Sequence, residues 1–292
     1  MSNRLKAEAF LFLATFFWGT TFVITKLAVA DVPPMLYLAM RFGLATVIFA
    51  LALGRKIFPV KQETLVASFW VAFWYFLGFL AQTVGLKFTT ASKSAFITGA
   101  YVLFVPLLQA MLKRQSPPLQ IWVAAVLSFI GLYLLSIESE SLFETKFNVG
   151  DWLTLLCAVS YGIYIVLVDR LTSSKSLDGE PHLPIKLAFV QVLFCSAASM
   201  VSSIIFEVPT FSADTTFYLL LLYISIFPTI VSTTLQVSFQ KDTTPARAAI
   251  IFMCEAVISA ALAALFLKES LGTVALIGAG VMLIGLVMSE RS

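Results

Sequence analysis

Gln82 to Ile97 reads QTVGLKFTTASKSAFI, and Gln236 to Ile251 reads QVSFQKDTTPARAAII. A shift of 154 positions lays one on the other. Gln82 then falls on Gln236, Lys87 on Lys241, Thr89 and Thr90 on Thr243 and Thr244, Ala95 on Ala249, and Ile97 on Ile251. Lys93 meets Arg247, so a cation is kept. Each copy ends one long apolar segment, turns sharply and starts another. The chain is therefore a tandem duplication, and its halves have to be read together.

Outward from these turns the chain is mostly apolar. Of 292 residues 60% are hydrophobic and only 12% charged, with a mean hydropathy of +0.95. Soluble domains carry about 25% charged residues. A membrane span needs about 20 apolar residues, each adding about 1.5 Å. Ten such stretches are predicted: Ala7–Ala30, Pro34–Leu53, Thr64–Leu86, Ser92–Leu112, Leu119–Ile137, Asp151–Leu171, Ile185–Phe206, Phe217–Phe239, Pro245–Leu267 and Thr273–Met288. Pro, Gly or charged residues separate them, as at Asp31–Pro34 and Lys113–Pro118. An acidic connection, 138–150, divides a first five-helix repeat, 1–137, from a second, 151–292.

Further marks of the repeat agree. Trp18-Gly19 answers Tyr161-Gly162, Pro34 and Arg41 answer Pro184 and Gln191, and Gly131 answers Gly285. An odd number of spans per half makes the second half enter from the opposite face. The expected fold is thus an all-α membrane protein, ten transmembrane helices as two inverted five-helix repeats around a central cavity. Loop cations test the orientation. Arg4, Lys6, Arg55, Lys56, Lys61, Lys113, Arg114, Arg170, Lys175, Lys241 and Arg291 fall on the N-terminal face, against Lys87, Lys146 and Lys268 on the other. This predicts a multi-pass protein of the cell membrane with both termini cytoplasmic and a retained signal anchor at the start.

Several classes are excluded. The net charge of +3 comes from scattered loop cations, with no basic run to suit nucleic acid. Cys157, Cys195 and Cys254 are dispersed in apolar spans, and His182 stands in a polar loop, so no disulfide framework or metal spacing appears. No GxxxxGK[ST] loop is present. An intramembrane lipid-modifying enzyme would need clustered carboxylates or a nucleophile–base pair, and only one acid lies deep in a span. A scaffold or receptor subunit would not need polar stripes in both halves.

Polar side chains in lipid are costly and should face an interior or a cavity. Spacings of three and four stack them on one helix face. The first span carries Thr15, Trp18, Thr21 and Thr25; the third Tyr75, Gly78 and Gln82; the fourth Thr90, Ser94, Thr98 and Tyr101. The sixth carries Thr154, Cys157, Tyr161 and Tyr164; the eighth Thr229, Thr233, Gln236 and Gln240; the ninth Arg247, Glu255 and Ser259. Such stripes line a pathway or hydrogen-bond helices together in a solid bundle. Six, placed alike in both halves, favour a cavity. The fifth and tenth spans instead show small faces, Ala124, Ser128 and Gly131 against Ala275, Gly278 and Gly285. These suit close packing at the periphery or a homodimer contact.

Glu255 is the sharpest residue. It lies eight positions past Arg247, roughly 12 Å deeper, and its repeat counterpart is Tyr101. It can bind a substrate ammonium, carry a coupling proton, or lock helices, as by pairing with Arg41. Arg41 either contacts solute or packs and snorkels. Lys93 and Arg247, in first helical turns on opposite membrane faces, mark pathway mouths or simply snorkel. Pro106 and Pro228 can kink the fourth and eighth spans.

FFWGTTFVITK at Phe16–Lys26, FTTASKSAFITGAYVLFVPLLQAML at Phe88–Leu112, TTPARAAIIFMCEAVISAALAALFLKESLG at Thr243–Gly272 and LIGAGVMLIGLVM at Leu276–Met288 resemble the drug/metabolite transporter superfamily, specifically the EamA-type ten-helix permeases. One departure stands out: the family's ninth helix usually carries Glu-Pro, and here Ala256 follows Glu255. The resemblance implies a central cavity, alternating access and export of amino acids or other small metabolites, with proton-coupled drug efflux as the alternative. No cofactor is expected beyond a coupling proton. The expected partners are a small solute and membrane lipid, with the chain as a monomer or a homodimer through the fifth and tenth helices. Trp18, Tyr75, Thr98, Tyr101, Tyr161, Tyr164 and Glu255 would contact solute, and Gln82 and Gln236 would offer it neutral hydrogen bonds.

Overall fold

A computed structural model describes residues 3–113, 116–137, 147–173, 180–208, 214–267 and 272–290. Most of the acidic connection, 138–146, lies outside these, as do Arg114, Lys146, Lys175, Lys268 and Arg291. Among the described residues the chain is helical without a strand. Ten helices are long and apolar enough to cross a membrane. They are α1 (Asn3–Asp31), α2 (Pro34–Ile57), α3 (Gln62–Gly85), α4 (Lys93–Leu112), α5 (Leu119–Ser136), α6 (Val149–Thr172), α7 (Leu183–Phe206), α8 (Thr215–Asp242), α9 (Pro245–Leu262) and α10 (Thr273–Glu290). Hydrocarbon offers no partner to a bare N–H or C=O, so apolar runs of this length close their hydrogen bonds internally as helices.

Side-chain caps set several starts. Asn148 and Asp151 form a capping box at α6, which begins two residues before the predicted Asp151. Thr90 Oγ1 accepts from the Lys93 N–H at 3.2 Å, and Asp214 Oδ1 from the Phe217 N–H at 2.8 Å. Outside the spans, Glu180 draws Lys61 and, from the first turn of α7, Lys186, and hydrogen bonds from them, Lys186 foremost, hold its carboxyl below the usual carboxylate range. This ties the α2–α3 turn to the chain between α6 and α7.

The helices pair with a two-fold pattern. α2 packs on α7, α4 on α9, and α5 on α10. α3 packs on α6 as α8 does on α1, and α1 on α9 as α6 does on α4. Exchanging the halves maps this pairing onto itself, as the duplicated sequence requires.

The small faces of α5 and α10 meet each other within one chain. A Cβ added to Gly278 would lie 2.4 Å from the Leu135 backbone nitrogen and 2.6 Å from the Gly131 carbonyl oxygen. One added to Gly285 would meet the Ala124 carbonyl oxygen at 2.9 Å. Within the one chain, backbone-to-backbone packing thus covers the small faces through which a homodimer contact was expected.

Three helices break in mid-course. α1 turns at Thr20, between Asn3–Gly19 and Thr21–Asp31. α4 breaks at Ala100, six residues before Pro106, which sits inside Tyr101–Lys113. α8 opens into a π-helical turn over Ser225–Val231, around Pro228. Proline lacks the N–H that an α-helix needs there and crowds the preceding turn. The loosened carbonyls find side chains: Ile224 O accepts from Thr229 Oγ1 at 2.8 Å, and Phe227 O from Ser232 Oγ at 3.1 Å.

Candidate functional site: a polar cavity between the repeats

A cavity lies where these breaks meet, at the mid-depth of the bundle. Tyr75 reaches it from midway along α3, with Gln82 two turns further on. Trp18 comes from α1 beside the break, Tyr101 from α4 just past its break, and Tyr161 and Tyr164 from α6. Gln236 enters from α8 and Glu255 from α9. The six spans predicted to line a pathway therefore all contribute. α5 and α10 contribute nothing.

Much of the polar lining is already spoken for. Trp18 Nε1 donates to the carbonyl of Pro228, inside the π-turn, at 2.9 Å. Tyr75 Oη and Thr233 Oγ1 lie 2.8 Å apart. The Tyr164 hydroxyl bridges Gln191 Oε1 at 3.0 Å and Gln236 Oε1 at 3.1 Å. Gln240 Nε2 donates to the Ile165 carbonyl at 2.6 Å. The α8 stripe is thus largely consumed in interhelical bonds. Gln82 Nε2 donates to Thr98 Oγ1 at 3.2 Å, which places Thr98 one layer behind the wall. Gly78 lets the Tyr161 ring lie on the α3 backbone, since an added Cβ would sit 2.4 Å from that ring.

Three polar groups are left over. The Tyr101 hydroxyl is buried without a hydrogen-bond partner. Arg41, 2% exposed, reaches the cavity from α2, a helix outside the six. Its Nε donates to Thr229 Oγ1 at 2.9 Å, and its Cζ lies 4.9 Å from the Phe79 ring centroid. Its Nη2 has no partner. Glu255 is the third. The pairing of Arg41 with Glu255 is not found: no ion pair within 4.0 Å joins them. The cavity has a volume of about 70 Å³.

Lys93 and Arg247 lie apart from the cavity. Lys93 is 6% exposed, with its Nζ 2.7 Å from Asp151 Oδ2, so it is a buried ion-pair member and does not snorkel. Arg247 is 9% exposed, within electrostatic range of Glu8 and Arg4. The sequence reading missed the apolar lining, Phe22, Phe79, Ile165 and Phe252. No signal separates a cavity phenylalanine from a lipid-facing one in a chain with 27 of them. It also missed Asp151 and Glu8, which read as ordinary charges at helix starts. His182 caps α7 in the left-handed region, φ 57°. All three cysteines are buried.

The comparisons with known proteins agree with this architecture. The EamA-like transporter family matches residues 5–137 and 148–290. An uncharacterized transporter of Archaeoglobus fulgidus is 30% identical over 288 residues, 98% of this chain and 86% of that protein. The uncharacterized transporter YoaV of Bacillus subtilis is 25% identical over 158 residues, 51% of this chain and 52% of that protein. A crystal structure of another protein shares the fold with a TM-score of 0.82 at 17% identity, over 99% of this chain and 97% of that one. With ten membrane-crossing helices and the family matched along nearly its whole length, the chain belongs to the EamA-like transporter family and is a multi-pass membrane transporter rather than an enzyme.

Proposed function

We propose that this transporter exports small zwitterionic metabolites, amino acids above all, by alternating access at the mid-depth cavity. One observation carries the reading: Arg41 and Glu255 face the same cavity without pairing, and Arg41 keeps a free donor. Isolated charges in a membrane interior are costly and mark function. A solute bearing a carboxylate and an ammonium satisfies both at once. Arg41 presents a planar fork suited to a carboxylate, and Glu255 takes the ammonium. Trp18, Tyr75, Tyr101 and Tyr161 enclose the apolar part.

The cavity size favours this over drug efflux. Clefts for drug-sized ligands occupy roughly 300–1,000 Å³, against about 70 Å³ here. Two five-helix halves, paired symmetrically, suit rocking about a central site. Export is the direction the family resemblance carries. The excess of loop cations on the N-terminal face supports placing both termini in the cytoplasm, and a cell-membrane location is part of the same reading.

The test is counterflow in proteoliposomes across neutral amino acids, their amines and their desamino acids, with and without a pH gradient. Amino acids are expected to exchange and the singly charged analogues to exchange poorly. A proton on Glu255 is the second reading, favoured by the absence of an ion pair to hold its charge. Glu255→Gln is then expected to abolish pH-driven transport while counterflow survives; unchanged pH dependence removes the proton role.

A further inference from the structure

Two carboxylates outside the cavity form a matched pair. Asp151 stands ten residues before Tyr161, and Glu8 ten residues before Trp18, so they are repeat counterparts. They lie at the starts of α6 and α1, on opposite membrane faces in an inverted duplication. Both are buried, Asp151 at 0% and Glu8 at 7% exposure. Each is held by the duplicated stretch of the other half. Thr89 Oγ1 donates to Asp151 Oδ1 at 2.7 Å, and Lys93 Nζ lies 2.7 Å from Oδ2. On the other face Thr243 Oγ1 donates to Glu8 Oε1 at 3.3 Å. Arg4 Nε donates to the same oxygen at 3.1 Å, and Arg247, the counterpart of Lys93, adds its charge nearby.

The Asp151 side is the tighter. Lys26 Nζ of α1 donates to the Leu86 and Thr89 carbonyls at 2.5 and 2.8 Å, bracing the α3–α4 turn. A Cβ on Gly150 would lie 2.6 Å from the Gly85 carbonyl oxygen and 2.9 Å from the Thr89 nitrogen. Its counterpart beside Glu8 is Ala7, which carries the methyl that Gly150 lacks. Every one of these carboxylate contacts to the duplicated stretches crosses between the halves. If the halves rock about the cavity, such contacts have to break on the face that opens.

We propose that Asp151 and Glu8 are the two gate latches of the transport cycle. The Asp151 latch shuts the cavity toward the 86–91 turn, the Glu8 latch shuts it toward the 240–245 turn, and they open alternately. Both hydroxyl–carboxylate bonds are made here, which assigns this conformation to the occluded state. The inference rests on the alternating-access reading, and its test needs no solute, so it succeeds or fails separately from the choice of amino acids as cargo.

The test uses the full chain with Cys157, Cys195 and Cys254 replaced and a single cysteine at Thr21 in the cavity wall. A membrane-impermeant methanethiosulfonate is applied from each face of oriented vesicles. Asp151→Asn is expected to raise the labelling rate about tenfold from the face of the 86–91 turn and not from the other. Tenfold corresponds to about 1.4 kcal/mol, within reach of a charge-assisted hydrogen bond. Glu8→Gln is expected to do the reverse. Should Asp151→Asn fail to fold, Lys93→Gln, which leaves the α6 capping box intact, is expected to show the same one-sided rise. Equal changes from both faces, or none, overturn the proposal.

Discussion

Arg41→Ala is expected to lower kcat/KM for amino acids at least a hundredfold while barely changing transport of the matching amines. The guanidinium is held in place by Thr229 at Nε and by the Phe79 face, so its orientation is fixed before solute arrives. A hydrogen bond to a charged group contributes about 1.5–3 kcal/mol, and the planar fork can make two. About 3 kcal/mol is roughly two decades at about 1.36 kcal/mol each. Arg41→Lys keeps the charge and loses the fork, so an intermediate loss is expected. The measurement is initial counterflow rate against concentration for paired amino acid and amine. An equal fall for both would show that Arg41 only holds α2 against α8, and the zwitterion reading would fail with it.

Gly278→Ala is expected to destabilise the folded protein by about 3 kcal/mol or more, although the change adds one methyl. That methyl would overlap the α5 backbone at Leu135 and Gly131, and backbone atoms of a packed helix cannot swing aside. Overpacking in well-filled interiors costs about 1–3 kcal/mol even where side chains can yield. Gly280, two positions on, is the internal control. An added Cβ there meets nothing within 4 Å. Removing a helical glycine favours the helix by about 1 kcal/mol. Thermal unfolding in detergent should therefore shift down for Gly278→Ala and level or up for Gly280→Ala. Shifts of the same sign would mean that α5 and α10 do not pack as closely as described.

Aliphatic runs gave the ten helices away, because hydrocarbon leaves the backbone no other way to bond. The boundaries slipped by a few residues where side-chain caps extended a helix, as at Asn148. Polar stripes identified the helices that line the cavity, yet could not separate groups facing it from groups bonded across helices. Thr229, Thr233 and Gln240 belong to the second kind, Tyr101 and Arg41 keep a free polar atom, and spacing alone reads the same for both. The breaks showed the same limit. Pro228 announced the π-turn, but those at Thr20 and Ala100 have no proline to betray them.

The duplicated stretch from which the reading began, with its copy, pointed by itself to two halves and to a cation after each turn, and the five spans counted in each half implied that they are inverted. Duplication and span parity are properties of a string, so the string was enough. The tertiary structure decided which groups meet. It set Lys93 on Asp151 and Thr243 on Glu8, residues 58 and 235 positions apart in sequence. It closed the small faces of α5 and α10 on each other, and it left Arg41 and Glu255 unpaired in one cavity. Pairing between halves depends on how helices cross and turn about their axes. That is set by the packing of whole faces and by no local signal in the chain.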